Sequence, residues 1–260
     1  MAATAPASAA TATAPVPARP ARLPRFTLTE RLLHWTHAAA FLVMLATGLI
    51  LYLPGLSAEV GRRPLVKDIH WWTAVSWAGA LALIVLLGNR RAVLRTVREI
   101  DLFSRDDRRW LRGDRLVPQG RFNAGQKVNA ILTAAFAVLF AVSGALLWLG
   151  ERNHDYRLAG TVFLHDALMY VSCALLIGHL YLAVIHPRTR HALQGMTLGT
   201  VREEWAREHH ARWVAELEAE RESGSGAGAG PDGVPAAWRL AARWRSLRGV
   251  SWPGQGGAAE

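Results

Sequence analysis

Cysteine is almost missing from this chain: Cys173 is the one thiol in 260 residues. That scarcity excludes an intrachain disulfide framework, a Cys-ligated zinc site and a self-contained iron–sulfur cluster. Acidic residues are also short, with Asp and Glu at 20 against 30 Lys and Arg. The net charge is +10 and the pI about 11.0. Such a balance fits nucleic-acid binding in the abstract, but here the charge sits beside apolar runs of membrane length, so no nucleic acid is expected. No apolar stretch of signal-peptide length precedes residue 26, so cleavage is not expected. No repeat with a period of 20–50 residues stands out.

What is present is a block pattern that the mean hydropathy of +0.12 conceals. Four apolar runs, near 32–53, 69–88, 128–149 and 161–186, alternate with basic segments. Each approaches or exceeds the roughly 20 residues that cross a bilayer. None contains Lys or Arg, and none has the polar stripe of a buried helix in a water-soluble bundle. Without water to satisfy the backbone, each run must be helical. The fold class is therefore all-α, a transmembrane four-helix bundle with cytoplasmic amphipathic helices.

Lys and Arg number four in 1–31, three in 54–68, eleven in 89–127, two in 150–160 and ten in 187–260. The positive-inside rule then places both termini and the 89–127 loop in the cytoplasm. Tyr52, Trp71, Trp72 and Trp148 fall at span ends, as interfacial aromatics do. Residues 1–25 read as a disordered extension, 26–221 as the membrane domain with a tail helix, and 222–260 as a low-complexity extension. RRAVLRTVREIDLFSRDDRRW suggests a surface helix, and 200–221 an amphipathic one carrying His209 and His210 on its surface.

Several histidines enter the spans, where ionisable groups are costly and mark function. His165 and His179 are fourteen residues apart, about 21 Å along a helix and about 40° apart around its axis, so they share a face. His70 opens the second span on the outer side, and His34 lies near the cytoplasmic start of the first. Depth sorts the four into an outer pair, His70 with His165, and an inner pair, His34 with His179. Two imidazoles fill both axial positions of a haem iron, so two haems at two depths are expected. No CxxCH motif occurs, which makes them non-covalent b-type haems. His37, one turn from His34, and His186, before Pro187, compete for the inner role. Gly48, Gly79, Gly178 and Ser143-Gly144 are among small residues that would leave room for a macrocycle. Asp166, next to His165, reads as a carboxylate favoured in the first helical turn. RFNAGQK reads as a helix N-terminus capped by Asn123.

At this point several ordered segments resemble a known family. RFTLTERLLHWTHAAAF, KDIHWWTA, RFNAGQKVNA, FLHDALMYVSCALLIGHLYLA and GMTLGTVREEWAREHHARW together resemble the cytochrome b (gamma) subunit of membrane-bound respiratory formate dehydrogenase, over about residues 25–220. The resemblance implies haem ligation by His34, His70, His165 and His179. It also implies a quinone site, for menaquinone or ubiquinone, at Asn123, Ala124, Gly125 and Gln126 beside the inner haem. There the amides of Asn123 and Gln126 offer donors, and Gly125 lets backbone approach a flat ring.

Its implied partners are an iron–sulfur (beta) subunit on the outer face and, through it, a molybdenum- or tungsten-dependent catalytic (alpha) subunit, with membrane lipid around the spans. The implied location is the bacterial inner membrane. The chain would carry electrons to quinone and anchor the complex, with formate oxidation on a partner. A quinone-linked cytochrome b of a hydrogenase or thiosulfate reductase is an alternative. A haem-free transporter or membrane anchor is another.

Overall fold

The computed structural model of the protein describes residues 21–226. Four helices there are long and apolar enough to cross a membrane: α1 (Leu28–Tyr52), α3 (Arg63–Leu87), α6 (Ala124–Gly150) and α7 (Thr161–Leu180). A π-helical turn, Tyr181–Ile185, prolongs α7. A 25-residue helix is about 37 Å long, enough for a hydrocarbon core of about 30 Å with some tilt. Their outward side chains are bare: Leu87 is 84% exposed and Phe163 77%. Lipid is the solvent that such a surface requires, and the protein is an integral membrane protein.

Each span begins on a recognisable signal. Thr27 caps α1, and Glu30 returns a carboxylate to the Thr27 backbone N–H, completing a capping box. Asn123 and Gln126 do the same for α6. A short helix, α2 (Pro54–Val60), follows α1, and Gly61 then turns the chain at φ 63° into α3. Gly160, at φ 84°, opens α7.

Packing is concentrated in two antiparallel hairpins, α1 with α3 and α6 with α7. Between the hairpins the four helices approach one another far less closely. What joins them is a polar layer at one end of the bundle. It contains α4 (Arg90–Asp101), α5 (Arg105–Leu111), α8 (Leu193–Thr197), α9 (Glu203–His209) and α10 (Ala211–Gly226).

A two-stranded ribbon completes the layer: β1 (Arg22–Pro24) pairs antiparallel with β2 (Thr200–Arg202), with Leu23 opposite Val201. Leu23, Val201, Trp205, Ala206, Trp213 and Val214 form its apolar core. The extension expected over 1–25 thus ends in ordered chain, because Leu23 finds this core. Residues 1–20 of that extension, and 227–260 of the expected C-terminal one, lie outside the described residues.

Two single helices expected from sequence are divided. Ser104 breaks the arginine-rich segment by capping α5, with the Asp107 carboxylate accepting from its backbone N–H at 2.8 Å. The 200–221 segment becomes β2, α9 and α10, with the break at His210.

Charges hold this layer against the spans. Arg121, just before α6, pairs with Glu30 of α1 at 2.9 Å and with Glu99 of α4 at 2.6 Å. Lys127, in the first turn of α6, pairs with Asp107 at 2.8 Å and donates to the Leu102 carbonyl. Burial pushes the Asp107 carboxyl up, but hydrogen bonds from Lys127 and Ser104 outweigh it and hold it below the usual carboxylate range. Its side chain is fully buried, so D107N leaves the Lys127 ammonium uncompensated inside protein. The expected loss is about 3–5 kcal/mol, read as a lower unfolding temperature of the detergent-solubilised protein. E151Q, which breaks the exposed Lys67–Glu151 pair, should change stability by no more than about 1 kcal/mol.

Candidate functional site

Two pairs of histidines face each other across the space between the hairpins. His70 of α3 lies opposite His165 of α7, with ring centroids 6.3 Å apart. His34 of α1 lies opposite His179 of α7, at 6.2 Å. A first-row metal binds imidazole nitrogen at about 2.0–2.1 Å, and the ring centre is about 1.1 Å behind that nitrogen, so two rings trans across one iron have centroids about 6.3 Å apart. Both separations match that value. Fourteen residues of α7 separate the pairs, about 21 Å of helix.

The His70 and His165 rings lie against hydroxyl groups. Thr47 of α1 donates its hydroxyl hydrogen to the Val43 carbonyl at 2.8 Å. Its oxygen is 2.9 Å from His70 Nδ1. With the hydroxyl proton placed on that carbonyl, the oxygen is available to accept from Nδ1–H. Ser143 of α6 repeats the arrangement: it donates to the Leu139 carbonyl at 2.7 Å and lies 2.9 Å from His165 Nδ1. Nε2 of each ring is left with its lone pair, the form that ligates a metal.

Each hydroxyl residue precedes a glycine. A Cβ on Gly48 would lie 3.6 Å from His70 Cε1, and one on Gly144 would lie 3.6 Å from His165 Cε1. The two hairpins therefore present the same device: a back-bonded hydroxyl, a glycine and a steered imidazole. The residues fit a six-coordinate haem. Neither His34 nor His179 makes a side-chain hydrogen bond among the described residues; Trp35 packs edge-on against His34 at 5.2 Å.

The competing histidines are placed elsewhere. The His37 ring lies against Trp77 and Phe41. His186 sits past the π-helical turn, with Nδ1 3.2 Å from the Thr189 hydroxyl. Asp166 forms no hydrogen bond or ion pair with another described residue.

The segment expected to meet quinone is tightly built. Asn123 Oδ1 accepts from the Gln126 N–H at 2.9 Å, and Gln126 Oε1 accepts from the Asn123 N–H at 3.1 Å. The side-chain amide nitrogens of both donate no hydrogen bond among the described residues. Ala124 is fully buried, and its N–H donates to Gln119 Oε1. A flat ring does approach Gly125, but it is the Trp110 indole: an added Cβ would stand 2.9 Å from Trp110 Cη2. Arg115 covers the same indole at 3.7 Å. The role of Gly125 seen in the structure is to admit Trp110.

Behind this segment lies His210, which sequence places on a surface. It is instead 1% exposed. Its Nδ1–H donates to the Gly120 carbonyl at 2.7 Å, and its Nε2 accepts from Arg25 at 3.1 Å. Arg25 also donates to the Arg121 carbonyl at 2.7 Å and reaches Gln126 Oε1 at 3.4 Å. It has no carboxylate partner among the described residues and lies among the rings of Phe26, Trp205 and Trp213. Burial, with the Arg121 charge beside it, lowers the guanidinium to about 9, which leaves it cationic at neutral pH. Burial, and then the Arg25 charge, holds His210 neutral well below the usual imidazole range.

His210 thus binds its proton less readily folded than unfolded, and the folded protein must lose stability as pH falls below about 6.5. In H210N the slope of unfolding temperature against pH between about 6.5 and 5 should flatten, measured by intrinsic fluorescence.

A profile of the family described as prokaryotic cytochrome b561 matches residues 25–199. The chain is similar to the formate dehydrogenase cytochrome b556 subunit of Haemophilus influenzae, 23% identical over 210 residues, 75% of this chain and 83% of the relative. It is similar to the formate dehydrogenase cytochrome b556(fdo) subunit of Escherichia coli K12, 25% identical over 206 residues, 74% and 92%. The nitrate-inducible cytochrome b556(Fdn) subunit of the same organism is 23% identical over 203 residues, 73% and 88%.

Proposed function

This chain belongs to the prokaryotic cytochrome b561 family, and from that membership we propose that it is the di-haem cytochrome b subunit of a formate dehydrogenase. In this reading it carries electrons from an iron–sulfur subunit on the outer face to quinone, and anchors the complex in the bacterial inner membrane. The single observation that carries the haem reading is the pair of imidazole separations, 6.3 and 6.2 Å, each bridging the two helical hairpins. The formate dehydrogenase assignment rests on relatives that cover three quarters of the chain and most of their own length.

His70 and His165 would hold the outer haem b, and His34 and His179 the inner one. Haem b supplies one-electron redox chemistry at each position. The protein's work is to fix the axial rings and to exclude water around them. Thr47 and Ser143 keep the outer rings in the Nδ1–H tautomer, so Nε2 faces inward as the donor atom.

Both termini, and the polar layer with them, belong on the cytoplasmic side, where the arginine-rich loop satisfies the positive-inside rule. The electron-donating iron–sulfur subunit, and the molybdenum- or tungsten-dependent catalytic subunit beyond it, would then meet the opposite end of the bundle. Quinone is the substrate met by this chain. Arg121 brings the start of α6 against Glu30, one turn of α1 below His34, so Asn123 and Gln126 lie near the inner pair. Their unengaged amide N–H groups are suited to donate to quinone carbonyls, and proton uptake there would draw on the cytoplasm.

Haem stoichiometry tests the ligands. By pyridine haemochrome analysis the wild type should carry two haems b per chain. H70A or H165A should retain one, and H34A or H179A should also retain one. Two haems in H70A would overturn the pairing. A folded wild-type chain without a b-type α band would overturn the haem assignment and leave a membrane anchor.

Asn123 tests the quinone site. N123S keeps a good helix cap while removing the amide donor. Quinone reductase activity should fall roughly tenfold, the cost of one hydrogen bond to substrate, with both haems retained. Unchanged activity would place quinone elsewhere.

A further inference from the structure

Beyond the end of α7 is a second site that the electron-transfer reading does not use. A cleft of about 360 Å³ opens between the π-helical turn and α8. One wall is apolar, formed by Ala183 and Val184 in the last turn of the membrane span. The other is mainly polar, formed by Arg190, His191, Gln194 and Thr197 with Leu193 among them. The π-helical turn shapes the apolar wall: the His186 N–H donates to the Tyr181 carbonyl five residues back.

Arginines converge on the polar wall. Arg190 lines it. Arg22 reaches Gln194 Oε1 at 3.0 Å. Arg202 lies 3.4 Å from His191 Nδ1. Arg31 donates to the Thr197 carbonyl. None of these four forms an ion pair among the described residues, although eleven ion pairs occur elsewhere in them. From Pro187 to Arg202 the chain contains no acidic residue. Arg190 thus lines the cleft, and three further guanidinium groups contact residues of its wall, none of the four paired with a carboxylate among the described residues.

We propose that this cleft binds an anionic phospholipid, its phosphate on Arg190 and its acyl chain along Ala183 and Val184. A phosphate diester matches the arginine fork in charge and geometry. The acyl chain accounts for the apolar wall, which a free phosphate would leave unused. Depth agrees as well, because headgroups lie where span and basic segment meet. The site involves no proposed haem ligand, so it stands whether or not the electron-transfer reading does.

The test uses the full chain, delipidated in detergent, with lipid binding followed by native mass spectrometry. Phosphatidylglycerol should bind one site at least about tenfold more tightly than phosphatidylcholine, which shares the phosphate diester but adds a quaternary ammonium that the surrounding arginines repel. R190Q should abolish that preference, R190K should retain part of it, and V184W should weaken phosphatidylglycerol by obstructing the acyl path. Arg190 and Val184 are both exposed, so these variants should fold, checked by an unchanged helical circular dichroism spectrum. Equal affinity for the two lipids, or an unaltered preference in R190Q, would overturn the proposal. Displacement by millimolar inorganic phosphate, together with wild-type affinity in V184W, would overturn it in favour of a free-phosphate site.

Discussion

One hydroxyl oxygen against each of the His70 and His165 imidazoles sets the geometry of the membrane interior. In hydrocarbon a hydroxyl must place its proton, and Thr47 and Ser143 place theirs on carbonyls of their own helices. What remains is an acceptor at a fixed point on the helix surface. That acceptor suits the Nδ1–H tautomer of His70 and His165, which leaves the Nε2 lone pair of each free. Helix packing, ring direction and ligand form are thus linked through two contacts of 2.9 Å. The device recurs on both hairpins, each time followed by a glycine whose added Cβ would stand 3.6 Å from the imidazole Cε1.

The spans themselves are loosely joined, and the polar layer compensates. Lipid provides little drive for apolar helices to associate, because tails are as apolar as leucine. Arg121 therefore ties α1, α4 and the start of α6 together, and Lys127 ties α6 to α5. Buried ion pairs are costly to form, but removing one partner costs more, so they act as registration points for the helix ends. Arg25 extends the layer by joining the Arg121 carbonyl, His210 and Gln126.

Much of the fold was legible because a membrane restricts the choices. Four apolar runs free of Lys and Arg could only be spans, and the histidines in them could be ordered by depth from residue counts. The Asn123 cap was readable from its neighbours. His210 was not. In WAREHHARW it looks like half of a charged surface pair, and nothing local shows that the helix breaks there. Its burial comes from Gly120 and Arg25, which are 90 and 185 residues away. The Trp110 neighbour of Gly125 was not legible either: a glycine signals close approach, but not by which ring, and Trp110 arrives from a separate helix.

Length, hydropathy and the spacing of His165 and His179 on one helix were enough to establish a membrane bundle with histidines at two depths. Those properties are local, since they depend on the rise and turn of a helix and on the thickness of a bilayer. Which histidines face each other, which hydroxyl holds each ring, and why His37 and His186 stand apart follow only once two hairpins are set side by side. Contacts between distant segments carry no local pattern, because they arise from how whole helices rotate and pack.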